Sequence, residues 1–247
     1  MKVDDARFKR WEIYSGETVE APIIVRIDGN NFHKLTAICR MAKPFDERFH
    51  LSMVGTAEDL MINIGFNISL AYTASDEINL LFLKNEHLPY NGRIEKILSV
   101  ISSYASSSLQ NHLRDAFSYS GVISFDARIV KVHTQSEILE YFSWRCLESF
   151  RNFLNSYAQQ IIGCKKTFRM KGEEIVKELH LRGFHIQEAP QWQKHGTMIY
   201  WRRIVKKGYN PITGKEVSVK RRKIFFSSID LSSKEGRKEL ENIIREI

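Results

Sequence analysis

The apolar segments of this 247-residue chain follow an order that few folds accommodate. Branched residues from Pro22 to Ile27 predict a buried strand, and the segments after it alternate as helix, strand, strand, helix, strand and helix. The two consecutive strands, at 66–74 and 77–83, are joined only by Ser75 and Asp76, which indicates a tight hairpin. A β-α-β-β-α-β order is typical of the ferredoxin-like (split βαβ) fold. We therefore expect an α+β protein whose antiparallel sheet is covered by helices on one face.

Helix ends are indicated by glycines and by capping residues. The apolar spacing predicts one helix at 45–65 and another through 94–109. Thr134 and Glu137 form a Thr-x-x-Glu capping box, which predicts the start of a third helix that ends at Gly163. Each helix carries apolar residues at helical spacing, so we expect each to pack one side against the sheet.

The residue pattern changes after Gly163, so we expect a first domain at 1–163 and a C-terminal extension at 164–247. In the extension, residues 197–226 predict a long β-hairpin that turns at Asn-Pro-Ile-Thr-Gly, residues 210–214. Residues 200–223, the basic arm, contain nine basic residues and one acid, Glu216, and so carry the whole formal charge of +8. Counterion release at phosphates favours binding of such an arm to a nucleic acid, and a solvated hairpin is the alternative. The arm residues expected to contact RNA are Arg202, Arg203, Lys206, Lys207, Lys220, Arg221, Arg222 and Lys223.

The cysteines and the length of the apolar runs narrow the class of protein. Cys39, Cys146 and Cys164 are widely spaced, so they form neither a metal-ligand spacing nor a disulfide framework, which fits a reducing compartment. The segment MKVDDARFKRWEIYSG carries charges throughout and lacks the apolar core of a signal peptide, and no apolar run is long enough to span a bilayer. We therefore expect a cytoplasmic protein without a membrane segment.

Two carboxylates are expected to meet at one end of the predicted sheet. Asp28 ends the first strand and Asp76 precedes the third, and these strands are neighbours in the split βαβ order. Adjacent carboxylates repel unless a cation lies between them, and hard oxygen ligands favour Mg²⁺. The carbonyl of Gly29 is available to the ion, and the backbone amides of 30–33 are available to a phosphate chain. The alternative is that these are ordinary turn residues.

Six stretches, taken together and in this order, resemble the tRNA-His guanylyltransferases and their guanylyltransferase-like relatives, which are 3′–5′ nucleotide-adding polymerases. They cover roughly residues 22–157 and read VRIDGNNFHKL, AKPFDERF, AYTASDEINLLF, RIEK with YASSSL, FDARIV and YFSWR. The resemblance implies a polymerase-palm-like catalytic core in residues 1–163. It also implies two Mg²⁺ ions held by Asp28, the Gly29 carbonyl and Asp76, with the two aspartates as the catalytic residues.

Further positions match residues that bind nucleotide or RNA in this family. Beside Asp28, Gly29 and Asp76, those that match nucleotide-binding residues are Asn30, Asn31, Phe32, His33, Ala42, Lys43, Asp46 and Ser75. Asp46 matches a position of the family that is a candidate for recognising the guanine base. The positions expected at the triphosphate or the RNA 5′ end are Arg93, Lys96 and Arg128. From the residues alone, ordinary structural or solvent-facing roles stay open for His33, Lys43, Arg93 and Lys96.

The chemistry implied by the resemblance takes place at the 5′ end of a tRNA. The end is activated with ATP or already carries a triphosphate, and the 3′-hydroxyl of an incoming GTP then attacks it, releasing AMP or pyrophosphate. The implied substrates are therefore GTP, ATP and tRNA. The family typically assembles as homodimers or homotetramers.

One stretch departs from the pattern of the eukaryotic tRNA-His enzymes. Where they have His-Ile-Asn-Asn-Leu-Tyr-Asn, this chain has FRNFLNS at 150–156, with Phe150 at the histidine position and Asn152 retained. This resembles the guanylyltransferase-like branch, which adds nucleotides opposite a template base and repairs truncated tRNA 5′ ends. Two alternatives remain open, namely a nucleotidyl cyclase with the same two-metal site and a non-catalytic tRNA-binding module.

Overall fold

A computed structural model describes residues 5–209, 211–212 and 214–247 of the chain. The strands in these ranges are β1 (Ile23–Gly29), β2 (Leu70–Ala74), β3 (Glu77–Phe82), β4 (Phe125–Lys131), β5 (Thr197–Tyr209) and β6 (Glu216–Ser227). They form one antiparallel sheet in the order β4-β1-β3-β2-β5-β6. The predicted ferredoxin-like α+β arrangement is therefore confirmed, including the tight hairpin between β2 and β3.

The helices in the described ranges are α1 (Asp5–Lys9), α2 (Phe32–Ile38), α3 (Glu47–Ile62), α4 (Ile94–Phe117), α5 (Gln135–Ala158), α6 (Cys164–Thr167), α7 (Gly172–Leu181), α8 (Gln191–His195) and α9 (Lys234–Glu246). The predicted capping box opens α5, since the Thr134 hydroxyl accepts from the Glu137 amide (3.2 Å) and the Glu137 carboxylate accepts from the His133 amide (2.7 Å). A π-helical turn follows α5, and Gly163, with φ of +100°, separates it from α6.

Helices cover both faces of the sheet, so the prediction of a single covered face is wrong. On one face Val25 and Leu80 pack in a cluster with residues of α3 and α4. On the other face Ile24 and Leu81 pack with residues of α5 and α9, among them Phe142. The reason is visible in the strands, because Ile23 to Val25 and Leu80 to Phe82 are apolar on both faces and each face must be buried.

The C-terminal extension continues the same sheet. β5 pairs with β2 only through residues 197–200, so the rest of the β5–β6 hairpin projects as an exposed two-stranded ribbon. Residues 201–209 extend about 30 Å beyond this pairing, at about 3.3 Å per residue. The predicted turn at 210–214 includes Asn210 and Thr213, which lie outside the described residues. The domain boundary after Gly163 stays a prediction. β5, from the extension, pairs with β2 in the first domain, so the two predicted domains share one sheet.

The basic arm carries its charge on both faces. The registered pairs Arg202–Lys223 and Arg203–Arg222 are consecutive, so their side chains point to opposite sides of the ribbon. Four of the predicted contact residues therefore lie on each side. Among the residues that the structure describes, no helix is long and apolar enough to cross a membrane.

Candidate active site

The end of β1 and the β2–β3 turn border a cavity of about 940 Å³. The Gly29 amide donates a hydrogen bond of 3.0 Å to the carbonyl oxygen of Asp76, which fixes the turn beside the end of β1. Ser75 adopts φ of +54°, so this residue supplies the left-handed conformation that closes the turn without a glycine. Asp28, Ser75 and Asp76 all line the cavity. The fold therefore brings together the two carboxylates that the strand order predicts at this end.

Negative charge accumulates around these two carboxylates. Burial raises the pKa of Asp28, and the neighbouring Glu77 carboxylate raises it further. Burial also raises the pKa of Asp76, with an added contribution from Asp28. The Ser75 hydroxyl donates to the Asp76 carboxylate (3.0 Å), and Arg26 lies 3.4 Å from that of Asp28. Two half-buried carboxyl groups, each with a pKa raised by burial and by a neighbouring carboxylate, form a site that favours a bound cation.

A buried ionic network supports the floor of the cavity. Glu77, which is 6% exposed, accepts two hydrogen bonds from the Arg145 guanidinium (2.7 and 2.6 Å) and pairs with Arg26 at 2.8 Å. The Asn79 amide also donates to Glu77 (2.8 Å) and accepts from the Tyr141 hydroxyl (2.6 Å). This network was not predicted from the sequence. The available signal was the two-residue period of the strands, which places these polar residues on the face of Asp28.

The loop before α3 forms one wall and includes three of the predicted nucleotide-binding residues. Ala42 and Lys43 are exposed and line the cavity. Asp46 caps α3 and accepts from the amides of Ala42 (2.8 Å) and Arg48 (3.0 Å). It also accepts two hydrogen bonds from the Arg48 guanidinium (3.1 and 2.7 Å), and these bonds lower the pKa of Asp46 to about 2. Guanine reading by Asp46 stays a prediction, and it requires the carboxylate to exchange one of these partners.

Residues 30–33 lie outside the lining of the main cavity. The Phe32 ring is buried against the rings of Phe49 and Phe125, with centroid distances of 6.3 and 5.2 Å. Asn30, Asn31 and Phe32 line a separate cavity of about 300 Å³, and His33 is exposed. The Phe32 side chain therefore has a structural role, which leaves the backbone of this segment for the predicted contact with a triphosphate.

The three basic positions expected at the triphosphate or the RNA 5′ end lie in two different places. Arg128 is registered beside Arg26, on the same face as Asp28, and pairs with Asp126 at 2.6 Å. Arg93 and Lys96 lie at the start of α4, which is held near the beginning of β1 by the hydrogen bond from the Val19 amide to the Gly92 carbonyl (2.9 Å). Since the seven residues of β1 span about 23 Å, Arg93 and Lys96 do not reach the Asp28 site within one chain.

An aromatic and amide wall of the cavity was not predicted from the sequence. The rings of His50 and Trp192 stack with a centroid distance of 4.2 Å, and Phe45 meets Trp192 edge to face at 6.1 Å. Burial lowers the pKa of His50 to about 4, so the ring is neutral at pH 7. Amide side chains from α5 and α8, including Asn152 and Gln193, complete this side. Such a surface combines ring stacking with hydrogen-bonding groups, which suits a nucleobase.

Comparison with known proteins assigns the chain to a family. A family model described as Thg1, tRNAHis guanylyltransferase, matches residues 5–133. An uncharacterised protein of Acanthamoeba polyphaga mimivirus, R259, is 32% identical over 223 residues, which cover 78% of this chain and 75% of the relative. The tRNA(His) guanylyltransferase of Saccharomyces cerevisiae is 28% identical over 195 residues, covering 72% of this chain and 81% of the yeast protein.

Solved structures agree over almost the whole length. A bacterial tRNA(His) guanylyltransferase (Thg1)-like protein in complex with ATP superposes with a TM-score of 0.78 at 26% identity, covering 97% of this chain and 98% of the other. The structure of such a protein in complex with GTP gives a TM-score of 0.73, again at 26% identity. Because the family model spans just over half of the chain and the viral relative covers more than three quarters of it, the chain belongs to the Thg1 family of tRNAHis guanylyltransferases.

Proposed function

We propose that this protein is a nucleotidyltransferase that adds nucleotides to the 5′ end of tRNA in the 3′–5′ direction, with GTP preferred opposite a template C. The observation that carries the proposal is the pairing of Asp28 and Asp76 at a cavity of about 940 Å³. A cavity of this size accommodates a nucleoside triphosphate, and its walls offer both aromatic rings and amides for a base. Membership of the family supplies the reaction class.

The residues present fit a site for Mg²⁺. Asp28 and Asp76 offer hard oxygen ligands, and Gly29, whose amide donates to the Asp76 carbonyl oxygen, directly follows Asp28 and has a backbone carbonyl as the proposed third ligand. Burial raises the pKa of each carboxyl group first, and a neighbouring carboxylate raises it further, so a cation would offset the charge of both. When bound, two such ions neutralise the triphosphate and stabilise the attacking and leaving oxygens of an in-line displacement.

The chain's own residues then bind and orient the reacting groups. Lys43, exposed at the cavity, is placed to contact phosphate, and Arg26 with Arg128 provides positive charge on the Asp28 face. The ring pair of His50 and Trp192 is placed to stack on a base. A tRNA 5′ end, carrying a triphosphate or activated with ATP, is attacked by the 3′-hydroxyl of the incoming GTP, and pyrophosphate or AMP leaves.

The basic arm is proposed as the contact for the rest of the tRNA. Its base follows Gly196 directly, next to α8 and the Trp192 wall of the cavity, and the ribbon extends about 30 Å from there. Positive charge on both faces allows it to follow a phosphate backbone rather than a flat surface. Because Arg93 and Lys96 do not reach the cavity within one chain, their proposed RNA contact requires a second copy, which supports assembly as a homodimer or homotetramer.

The motif that departs from the eukaryotic pattern favours repair or template-directed addition over strict selection of tRNA-His. Phe150 stands at the histidine position of that motif, and its ring stacks on the rings of Phe153 and His195, each at 5.9 Å between centroids. The side chain is therefore engaged inside the protein. Addition of G opposite a discriminator C in tRNA-His remains compatible with template-directed chemistry.

The test uses a 5′-triphosphorylated tRNA that lacks its first nucleotide, together with GTP and Mg²⁺. The template base opposite the missing nucleotide is C in one substrate and A in the other. We expect a product one nucleotide longer with C only. Asp28→Ala and Asp76→Ala should each lower the rate by more than about a hundredfold, because electrostatic stabilisation of the transition state is usually the largest contribution. Asp115→Ala, at an exposed position on α4, is the matched control and should leave the rate unchanged.

Two results would overturn the proposal, and each identifies an alternative. Tight tRNA binding without any extension would leave a non-catalytic tRNA-binding module. A cyclic product formed from ATP or GTP alone would identify a nucleotidyl cyclase that uses the same carboxylates.

A further inference from the structure

Three potential metal ligands converge at a buried point behind the cavity wall. Cys146 lies on α5, His195 is the last residue of α8, and Asp230 lies between β6 and α9. The Cys146 sulfur is 3.5 Å from His195 Nδ1, and the same nitrogen is 3.8 Å from Asp230 Oδ1. All three donor atoms lie within 4.8 Å of one another. Cys146 and His195 are 1% and 8% exposed, whereas the Asp230 side chain is 44% exposed.

The arrangement differs from that of a nucleophilic catalytic triad. In a triad the histidine uses one ring nitrogen for the nucleophile and the other for the carboxylate. Here sulfur and carboxylate both face Nδ1, and one proton on that nitrogen can serve only one of them. Cys146 is also fully buried, so a substrate cannot reach its sulfur. The three donor atoms lie close enough to one another to share one metal ion.

The sulfur-to-nitrogen distance matches the one expected for tetrahedral zinc, and the nitrogen-to-oxygen distance is slightly longer than expected. Zinc lies about 2.3 Å from sulfur and about 2.0–2.2 Å from nitrogen or oxygen, so tetrahedral angles put S and N about 3.6 Å apart and N and O about 3.4 Å apart. The observed separations are 3.5 and 3.8 Å. A mixed sulfur, nitrogen and oxygen set favours zinc over Mg²⁺, which prefers oxygen ligands alone.

Neighbouring groups already orient two of the three side chains. The Asp230 carboxylate accepts from the amide (2.9 Å) and the hydroxyl (2.5 Å) of Ser232. The Phe150 ring stacks on His195 with an angle of only 7° between the planes, which fixes the imidazole. Outer contacts of this kind hold metal ligands in place.

We propose that Cys146, His195 and Asp230 form a zinc site with three protein ligands and a fourth position open to solvent on the Asp230 side. The ion would join α5, α8 and the segment after β6. α5 carries Arg145 and α8 carries Trp192, and both of these line the cavity. The site therefore braces the wall of the cavity and the base of the basic arm, at a place separate from the Asp28 and Asp76 carboxylates.

Cobalt(II) substitution tests the site in the 247-residue chain after removal of bound metal with a chelator. A cysteine ligand gives a thiolate-to-cobalt charge-transfer band, which carboxylate or histidine ligands do not give. We expect this band at one equivalent of cobalt and its loss when one equivalent of zinc is added. A double variant, Cys39→Ser with Cys164→Ser, leaves Cys146 as the only cysteine of the chain and should keep the band. Cys146→Ser should lose it.

Zinc titration with a competing chromophoric chelator completes the test. Asp230→Asn should weaken zinc binding while keeping the cobalt band, because the sulfur and nitrogen ligands remain. Absence of the band in both the wild-type protein and the double variant would overturn the proposal, and these two proteins suffice if Cys146→Ser does not fold. Unchanged zinc affinity in Asp230→Asn would remove the aspartate from the ligand set and would equally contradict the three-ligand site.

Discussion

Replacing Glu77 with glutamine leaves two buried guanidinium groups beside a neutral amide. Arg26 and Arg145 are 19% and 13% exposed in their side chains, and both contact the Glu77 carboxylate. Removing one partner of a buried ion pair typically costs 3–5 kcal/mol, roughly, because the remaining charge stays desolvated. Arg26 keeps Asp28 at 3.4 Å, and Arg145 lies 4.6 Å from the centre of the Trp144 ring, so the loss belongs at the lower end of this range.

We therefore expect Glu77→Gln to lower the free energy of unfolding by about 3 kcal/mol. For a chain of this size each kcal/mol shifts the melting temperature by roughly 2–4 °C, so the expected decrease is about 6–12 °C. Urea denaturation followed by circular dichroism, together with a thermal melt, measures both quantities. Glu239→Gln, at an exposed position on α9, is the matched control and should change stability by less than about 0.5 kcal/mol.

A double-mutant cycle tests the physical reasoning itself. In the Glu77→Gln protein, Arg145→Met removes a charge that no longer has its partner, so its cost should be at least about 1 kcal/mol smaller than in the wild type. Additive effects, or a loss of less than about 1 kcal/mol in Glu77→Gln alone, would refute the view that the network is a coupled, desolvated unit.

Three further perturbations test other parts of the molecule. The pKa of Asp46 is lowered to about 2, so its carboxylate stabilises the fold above about pH 4, and this contribution is lost as the pH falls toward 2. Asp46→Asn should therefore flatten the dependence of unfolding free energy on pH in that window. An unchanged dependence in urea titrations would contradict this. In the basic arm, the residues to replace together with alanine are Lys220, Arg221 and Arg222. The triple variant should weaken tRNA binding and lower the slope of log affinity against log salt by about one for each lost phosphate contact. An unchanged slope would indicate a solvated hairpin. Gly196 has φ of +68°, and an added Cβ would lie 2.5 Å from the Thr73 carbonyl oxygen. Gly196→Ala should therefore lower stability by more than about 1 kcal/mol in a thermal melt. Equal or higher stability would show that the close approach of Gly196 to the Thr73 carbonyl does not require glycine.

The element order was predictable because it rests on local periodicity. Short runs of branched and apolar residues in β1 to β4 and helical spacing in α3, α4 and α5 are features that act over a few residues. The capping box of α5 and the glycine break at Gly163 are equally local. By contrast, α2 and α9 were not predicted. α2 has only seven residues, too few to show a period, and α9 carries mostly polar residues around a narrow apolar side.

The coverage of the sheet shows where local reasoning fails. Apolar residues on both faces of β1 and β3 were present in the sequence, yet the expected fold placed helices on a single face. Nothing in the sequence of α5 specifies which face it packs against. The choice depends on how α5, α9 and β5 together bury the second face, and that is a property of the assembled chain.

The candidate site divides in the same way. The pairing of Asp28 with Asp76 follows from strand order, because adjacent antiparallel strands place the end of one beside the start of the other. The basic arm was likewise predicted from the sequence, because the excess positive charge of the chain is concentrated in residues 200–223. These features depend on residues in or next to helices and strands, so their positions can be read from the sequence.

Contacts between residues far apart in the chain were decided by the tertiary structure. Glu77 and Arg145 are separated by 68 positions, and Cys146 and His195 by 49, so no spacing rule connects them. The wide separation of the cysteines even argued against a metal site that includes them. The physical reason is that a side chain's partners are set by the packing of whole helices against the sheet, which sums many weak contacts over the chain, whereas periodicity and charge are written into each segment locally.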